Sequence, residues 1–231
     1  MSASHRVLAV FAHPDDIELV CLGALARMVA ARWDVHVLEL SDGEASSSAR
    51  AVQRRAESET IASLVGYSLI SQSLPDGKLR YDLETISIIS EHIAKLTPEL
   101  VMTHFPQDHG LGHQDHYAVA SATINASRRS RSVRTVLCAE PPTHVTGFTP
   151  NCFIDITDFL QVKKQAVDLL RSECQKSYVS PRQVEVRSHW WATQAMPCDF
   201  EQGRSFEAYQ ILRHVVGKSQ TLDVCAIHDL A

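Results

Sequence analysis

Short apolar runs alternate along the chain with segments of helical periodicity, and this alternation limits the folds that are open to it. The predicted strands cover residues 6–11, 35–40, 68–74, 100–105, 133–138 and 153–156. The first of them, RVLAVF, is apolar and β-branched, as is typical of a strand buried on both faces. The helical segments cover residues 15–32, 46–64, 82–96, 113–127 and 159–170. Strands separated by helices form βαβ units with right-handed crossovers. The sequence therefore predicts an α/β fold with a Rossmann-like, mostly parallel sheet flanked by helices.

The length of 231 residues, 45% of them hydrophobic, is sufficient for one sizeable core. We expect a single domain over residues 1–231, with a core at about 6–175 and a C-terminal segment packed on it. Trp190, Trp191 and the stretch 206–216 are expected to complete that core. A substrate lid is the alternative for the two tryptophans.

Composition argues against several classes of protein. A net charge of -5 leaves no excess of Lys or Arg to neutralise nucleic-acid phosphates. No apolar stretch reaches the roughly 20 residues of a membrane span, and residues 1–6 lack the pattern of a signal peptide. The six cysteines form no Cys-x-x-Cys pair, which favours a reducing cytoplasm. We expect a small-molecule ligand, no nucleic acid and no membrane insertion, and the oligomeric state stays open, a homo-oligomer included.

The segment after the first predicted strand reads His13-Pro14-Asp15-Asp16, where a dinucleotide-binding protein has a glycine-rich turn. Two adjacent carboxylates repel a pyrophosphate, whereas two carboxylates and an imidazole suit a divalent cation. Pro14 stiffens the turn, so that His13 and Asp16 can converge on one ion while Asp15 points elsewhere. The alternative is an acidic helix start that only complements the helix dipole.

A second cluster, His113-Gln114-Asp115-His116, opens the helix after the fourth predicted strand. His113 and His116 are three residues apart and share one helical face. Asp115 does not share that face, but it can hydrogen-bond a histidine and fix its tautomer. Taken alone, this cluster is also compatible with histidines that bond the backbone at a helix start.

Both clusters follow the carboxyl ends of parallel strands, which is where open α/β sheets bind ligands. His13, Asp16 and His116 supply the three protein ligands of a catalytic zinc site, with a fourth position left open. Asp15 and His113 are then left for proton transfer. Nearby, we read His104 as wall or substrate contact, while His109 and Asp108 fall in a loop.

At these residues the chain resembles the PIG-L/LmbE-like family of metal-dependent N-deacetylases. Residues 12–18, Ala-His-Pro-Asp-Asp-Ile-Glu, are similar to the opening motif of that family, and residues 113–116 to its second motif. Residues 41–44, 74–77 and 153–157 resemble intervening and later family segments. The resemblance covers roughly residues 6–175.

The resemblance implies a Rossmann-like fold and one zinc ion per chain, with other divalent metals as alternatives, held by His13, Asp16 and His116. It implies Asp15 as general base and His113 as stabiliser of the tetrahedral intermediate or proton donor, in a set of catalytic candidates that also includes Asp115. Typical family substrates carry an N-acetylglucosamine unit.

Arg54, Asp76 and His104 are the candidates for binding substrate, the first two through sugar hydroxyls. Where family members often carry a glycine-rich stretch, only Gly23 remains here, which predicts a reshaped site. Two alternatives to the sugar deacetylase are a metal-dependent hydrolase of a non-sugar amide or ester, and a catalytically silent small-molecule binding protein. A nucleotide-binding protein is disfavoured by the missing glycine fingerprint.

Overall fold

The computed structural model describes residues 5–45, 51–106, 112–143, 146–196 and 203–216. The strands of this part of the chain are β1 (Arg6–Phe11), β2 (Asp34–Ser41), β3 (Ser68–Leu74), β4 (Leu100–Thr103), β5 (Thr135–Ala139), β6 (Cys152–Asp155) and β7 (Phe206–His214). The α-helices are α1 (Asp16–Val20), α2 (Leu22–Ala30), α3 (Ala51–Val65), α4 (Leu83–Leu96), α5 (Gln114–Arg129), α6 (Leu160–Leu169) and α7 (Pro181–Ala195). Single 3₁₀ turns precede and follow α6.

The seven strands form one sheet in the order β3-β2-β1-β4-β5-β7-β6. The first five strands along the chain pair in parallel, and β7 pairs antiparallel with β5 on one side and β6 on the other. From β1 the chain winds outward first through β2 and β3, then returns to β4 and β5. The direction of winding therefore reverses between β1 and β4, which creates a crevice at their carboxyl ends.

Both faces of the sheet are buried, as the apolar runs predict. Val7, Ala9 and Phe11 of β1 face one hydrophobic cluster, and Leu8 and Val10 face the other. The first cluster lies under α1, α2, α3, α6 and α7, and the second lies under α4 and α5. This confirms the predicted fold class, a mostly parallel sheet flanked by helices.

Local signals account for several helix ends. Asp82 caps α4 by accepting a hydrogen bond from the Thr85 N–H, and Ser180 caps α7, where Pro181 occupies the first turn. The segment 15–32, predicted as one helix, is two helices, because the backbone leaves the helical region at Cys21 (φ −143°). Residues 46–50, predicted to begin α3, lie outside the described residues.

The C-terminal segment is the largest addition to the predicted fold. Residues 206–214 form β7, a strand inserted between β5 and β6, and Trp190 and Trp191 lie on α7. Trp190 is exposed and Trp191 is partly buried, so only the second contributes to packing. Among the described helices, none has the length and apolar character to span a bilayer.

Candidate metal centre

The two histidine-rich segments meet at the crevice between the ends of β1 and β4. His13 and Asp16 follow β1 directly, and His116 lies in the first turn of α5. His13 Nδ1 lies 3.2 Å from His116 Nε2 and 3.5 Å from Asp16 Oδ2, and His116 Nε2 lies 3.1 Å from Asp16 Oδ1. The three side chains predicted as ligands therefore converge on one point, although 100 residues separate His116 from Asp16 in the sequence.

These separations are close to those of a tetrahedral donor set, although His13 and His116 approach different carboxylate oxygens of Asp16. Zinc bound at about 2.0–2.1 Å to nitrogen and about 2.0–2.2 Å to oxygen separates its ligand atoms by about 3.3–3.6 Å. His13 and Asp16 are buried, while His116 is partly exposed toward the cavity. Groups with ligand atoms within 4.8 Å of one another are His13/His113/His116, Asp16/His104/His116 and His13/Asp76/Asp115. The geometry thus suits a divalent ion with one side open to a ligand.

The second nitrogen of His13 faces two further carboxylates. Nε2 lies 2.9 Å from Asp76 Oδ1 and 3.3 Å from Asp115 Oδ2. Burial alone would lower the pKa of His13, but its hydrogen bonds to Asp115, Asp16 and Asp76 raise it to about 12. The hydrogen bond to His13 lowers the pKa of Asp76 to about 2. With its pKa at about 12, the metal-free ring of His13 carries a proton on both nitrogens, so a metal would bind at Nδ1 by displacing its proton, while the two buried carboxylates keep the proton on Nε2.

Asp115 and Asp76 are in turn fixed by the backbone. The Gly77 N–H donates to Asp115 Oδ2 at 2.7 Å, and the Ala45 N–H donates to Asp76 Oδ2 at 3.1 Å. Asp76 lies among the cavity-lining residues, but its nearest polar partner is His13. Asp76 and Asp115 therefore orient the ring of His13, a candidate metal ligand, through its Nε2.

Asp15 occupies a strained backbone position beside the candidate metal ligands. Its φ of 107° is in a region that L-residues rarely adopt, and its side chain is 8% exposed. Burial, together with the neighbouring charge of Asp16, raises the pKa of Asp15 to about 6. A carboxylate with a pKa near neutrality can both accept and return a proton at physiological pH.

Arg54 is among the residues that line the cavity, but its side chain is only 4% exposed and is buried against Asp15. Its guanidinium lies 3.3 Å from Asp15 Oδ1 and 3.5 Å from Glu173 Oε1. It also donates to the carbonyl oxygens of Pro14 and, at 3.0 Å, of Gly43. Arg54 thus connects the segments that carry Asp15, Gly43 and Glu173. These contacts favour a role in orienting the Asp15 carboxylate over direct contact with sugar hydroxyls.

His113 caps α5 and lines the cavity. The Asp115 N–H donates to His113 Nδ1 at 3.3 Å, so the neutral ring carries its proton on Nε2. The ring lies edge-on to His13, with centroids 4.7 Å apart. Burial, followed by the charges of His13 and His116, lowers the pKa of His113. The neutral ring still offers one N–H donor, so His113 can donate a hydrogen bond without being protonated to the imidazolium.

His104 forms a buried wall of the site. Its Nε2 accepts a hydrogen bond from the Ala12 N–H at 3.0 Å, and its ring stacks on His116 with centroids 4.0 Å apart. Burial lowers the pKa of His104 to about 4. The ring is therefore neutral and fixes both the end of β1 and the plane of the His116 imidazole. His109 and Asp108 lie outside the described residues.

The cavity above these residues has a volume of about 460 Å³, within the range of about 300–1,000 Å³ that is typical of small-molecule sites. Its floor holds the carboxylates and imidazoles described above. The lining also includes six apolar and aromatic side chains, and these are Leu19, Phe105, Tyr117, Pro141, Pro142 and Tyr178. A lining of both kinds suits a ligand with one reactive polar group and a less polar body.

Sequence reasoning missed the contribution of the C-terminal half. Lys176 lies 3.7 Å from Asp15 Oδ2 and also pairs with Glu173, while Tyr178 lines the cavity beside it. No motif marks these residues, because they reach the site only when the turns after α6 fold back over α3.

Gly23 is required for packing instead of for substrate approach. A Cβ there would lie 2.7 Å from Ile156 Cδ1 and 2.9 Å from Glu207 Oε1. The Gly23 N–H donates to the Glu207 carboxylate, which sits at the start of α2. The glycine therefore admits a buried carboxylate from β7.

A doubly wound α/β sheet with a His/Asp cluster at its winding reversal defines a Rossmann-like protein with a candidate metal centre. The family model described as PIG-L, GlcNAc-PI de-N-acetylase, matches residues 8–127. The chain belongs to the PIG-L family.

The chain is also similar to curated relatives and to solved structures. The chain is 28% identical to an Escherichia coli K12 protein described as the uncharacterized deacetylase YaiS, over 72% of this chain and 91% of that protein. It is 29% identical to the diacetylchitobiose deacetylase of Thermococcus kodakarensis, over 70% of this chain and 67% of the enzyme. The crystal structure of the 4-carboxy-2-hydroxymuconate hydratase GalB of Pseudomonas putida KT2440 superposes with a TM-score of 0.76, at 20% identity, over 94% of this chain and 100% of that one. At this identity the hydratase shares the fold alone.

Proposed function

We propose that this protein is a metal-dependent N-deacetylase that removes the acetyl group from an N-acetylglucosamine-type sugar or sugar conjugate, releasing acetate and a free amine. The observation that carries the proposal is the convergence of His13 Nδ1, Asp16 and His116 Nε2 within 3.1–3.5 Å, beside the buried carboxylate of Asp15. Membership of a family described by a de-N-acetylase supports the reaction class.

Zinc is the ion we assign to this donor set, with other divalent metals as alternatives. Two imidazole nitrogens and one carboxylate, with one side open, are a ligand set of catalytic zinc sites. When bound there, zinc supplies a Lewis acid that lowers the pKa of water and polarises a carbonyl. His13, Asp16 and His116 would hold it, and Asp76 and Asp115 would keep His13 in the required tautomer.

Asp15 is the general base in this proposal. Its carboxylate accepts a proton from the attacking water, and its pKa of about 6 leaves it largely ionised at neutral pH while still able to return the proton to the departing amine. Arg54 orients Asp15 through the 3.3 Å contact, so we propose it as a positioning residue in place of a direct sugar ligand.

His113 acts as a hydrogen-bond donor to the acetamide oxygen as negative charge develops on it. Its Nε2–H is available because Nδ1 accepts the Asp115 N–H. A fixed donor directed at developing charge contributes about 10²–10³-fold in acyl-transfer enzymes that have an oxyanion hole. His104 supports His116 by stacking and does not itself contact substrate in this scheme.

The sugar class rests on the relatives. The Thermococcus kodakarensis relative is a deacetylase of diacetylchitobiose, and the Rhodococcus jostii relative, 27% identical over 60% of this chain and 59% of that enzyme, is a deacetylase of a 2-acetamido-2-deoxy-glucopyranoside. The polar groups that line the cavity suit an acetamide, and its apolar and aromatic lining residues suit the C–H faces of a pyranose ring. The substrate is thus a small molecule.

The test is a panel of N-acetylglucosamine conjugates and N-acetylated amino acids, incubated with zinc-loaded protein and followed by mass spectrometry of the free amine. We expect turnover of the sugars, abolished by a chelator and restored by zinc. Asp15→Asn should keep the metal and lose activity by at least about 10²-fold, whereas His116→Ala should lose both metal and activity. Full activity of the Asp15 variant would refute the assigned base.

The same panel separates the rival functions. Turnover of acylated amino acids alone would indicate a non-sugar hydrolase, and metal binding without turnover of any compound would indicate a silent binding protein. These tests are needed because a hydratase shares this fold, so the fold alone does not determine the reaction.

A further inference from the structure

We propose that Arg187 is a positioning residue for substrate specificity, because it holds the proline wall of the cavity from behind. The proline wall is defined as Pro141, Pro142 and Thr143, which follow β5 and line the cavity. The inference rests on the proposed deacetylase function and adds to it the part of the chain that recognises the substrate beyond its acetamide.

The proline wall has a distinct chemistry among the cavity surfaces. Its two prolines have no N–H, and their rings offer only C–H surface to a ligand. The opposite chemistry lies at the floor, where Asp15, Asp16 and His113 face the reacting group. The wall is therefore suited to the apolar face of a pyranose ring or of its aglycone, and not to the atoms that react.

One guanidinium fixes the backbone of the wall. Arg187 on α7 donates to the carbonyl oxygens of both Pro141 and Pro142. It also pairs with Glu140, with Nη2 2.7 Å from Oε1 and Nε 3.3 Å from Oε2. Three consecutive residues at the end of β5 thus share one cation, in a forked geometry that a lysine ammonium does not reproduce.

Trp191 completes this clamp. Its indole Nε1–H donates to Glu140 Oε2 at 2.7 Å, and its ring contacts Phe153 on β6 with centroids 5.9 Å apart. Arg187 and Trp191 lie one helical turn apart on α7, so both reach Glu140 from the same face. The helix that carries them packs on β7 and β6 and does not line the cavity. Arg187 therefore acts on a ligand only through the wall.

The position of the clamp in the sequence supports a role in specificity. The family model covers residues 8–127, which hold every residue proposed for the chemistry. The wall and its clamp lie beyond that range, in the part of the chain that the family model leaves unmatched. The reacting groups thus lie in the family segment, and the proline wall lies outside it. The substrate preference of such a site can change while its reaction is kept.

The experiment compares Arg187→Ala and Arg187→Lys with Arg182→Ala, an exposed arginine on the same helix. Kinetics are measured on zinc-loaded protein with free N-acetylglucosamine and with a conjugate that carries a bulky aglycone. For the conjugate we expect KM to rise about tenfold in both Arg187 variants while kcat stays within about threefold, as expected when binding distant from the reacting atoms is lost. Arg182→Ala should match the wild type.

A second readout separates the clamp from general loss of structure. Guanidinium ion, added well below denaturing concentrations, should restore the KM of Arg187→Ala toward the wild-type value, and an equal concentration of sodium chloride should not. Should the alanine variant fail to fold, Arg187→Lys and Glu140→Gln carry the same kinetic comparison.

The inference is overturned if both Arg187 variants keep the wild-type KM for the conjugate, or if kcat falls as much as KM rises and guanidinium restores neither. Absence of turnover by the wild type on the whole panel would instead refute the proposed function and, with it, this extension. An active wild type with unaffected Arg187 variants refutes the extension alone.

Discussion

Replacing Glu207 is the perturbation with the largest expected effect on stability. Its carboxylate is buried where β7 meets the start of α2, and it accepts four hydrogen bonds. The donors are the Gly23 N–H and the Ala24 N–H at 2.9 Å each, and the Tyr209 hydroxyl and the Lys163 ammonium at 2.6 Å each. The two charged side chains are each 3% exposed.

The magnitude follows from what Glu207→Ala leaves behind. Lys163 becomes a buried charge without its partner, which costs about 3–5 kcal/mol in comparable pairs. Two N–H groups of the first turn of α2 also lose their acceptor. Because whole domains unfold with about 5–15 kcal/mol, this variant should lose a large share of its stability.

The reverse change, Lys163→Met, should cost less. The Glu207 carboxylate keeps three donors, two of them at a helix N-terminus where negative charge is favoured. We therefore expect Glu207→Ala to be more destabilising than Lys163→Met by at least about 1 kcal/mol. Glu207→Gln, which preserves shape and one acceptor oxygen, should fall between the two.

Urea unfolding at pH 7, followed by far-UV circular dichroism, measures these differences in the free energy of unfolding. The matched control is Glu185→Gln, which removes a surface pair with Lys164 and should change stability by no more than about 1 kcal/mol. A loss below about 1 kcal/mol for Glu207→Ala, or a larger loss for Lys163→Met, would refute the reasoning that the carboxylate organises this junction.

Two further predictions concern backbone space and pH. Gly43 and Gly77 have similar positive φ values of 66° and 72°, but a Cβ at Gly43 would overlap the Arg54 guanidinium, whereas at Gly77 the nearest atom is 3.9 Å away. Gly43→Ala should therefore reduce both activity and stability, and Gly77→Ala should show only the backbone strain of about 1–3 kcal/mol; equal losses in kinetic and unfolding assays would contradict this. Burial raises the pKa of Glu39 from 4.5 to about 8, so the folded state keeps a proton that the unfolded state releases. The contribution of Glu39 to stability is therefore complete below pH 4.5 and is lost as the pH rises through about 8. Unfolding of wild type and Glu39→Gln at several pH values should show the wild type losing up to about 1.4 kcal/mol per pH unit relative to the variant, and parallel pH profiles would exclude this titration.

The fold class followed from the sequence because its signals are local. The apolar run at residues 6–11 coincides with β1, since a central strand buried on both faces is built mainly from apolar side chains. The sequence predicts that both histidine-rich segments follow the carboxyl ends of parallel strands, and the pairing of β1 with β4, which chain order does not specify, then brings His13 and His116 together.

The helix boundary at Cys21 was not predictable in the same way. The apolar period runs through residues 15–32 without interruption, and the break is stabilised by Glu207, 186 residues further on. Likewise, the sequence predicts that residues 206–216 cover part of the core, but nothing in Phe206–His214 specifies a strand inserted antiparallel between β5 and β6.

The sequence by itself determined the layered α/β architecture and the residues that gather at the candidate metal centre. Local periodicity distinguishes strands from helices, and strands that alternate with helices form parallel crossovers. Only the tertiary structure decided which groups support the site. These contacts are the burial of Arg54 against Asp15, the approach of Lys176 to Asp15 and the hydrogen bonds from Arg187 to the proline wall. Those contacts join loops that are distant along the chain, and each depends on a charged group finding partners that compensate for its removal from water. No local pattern encodes such a match.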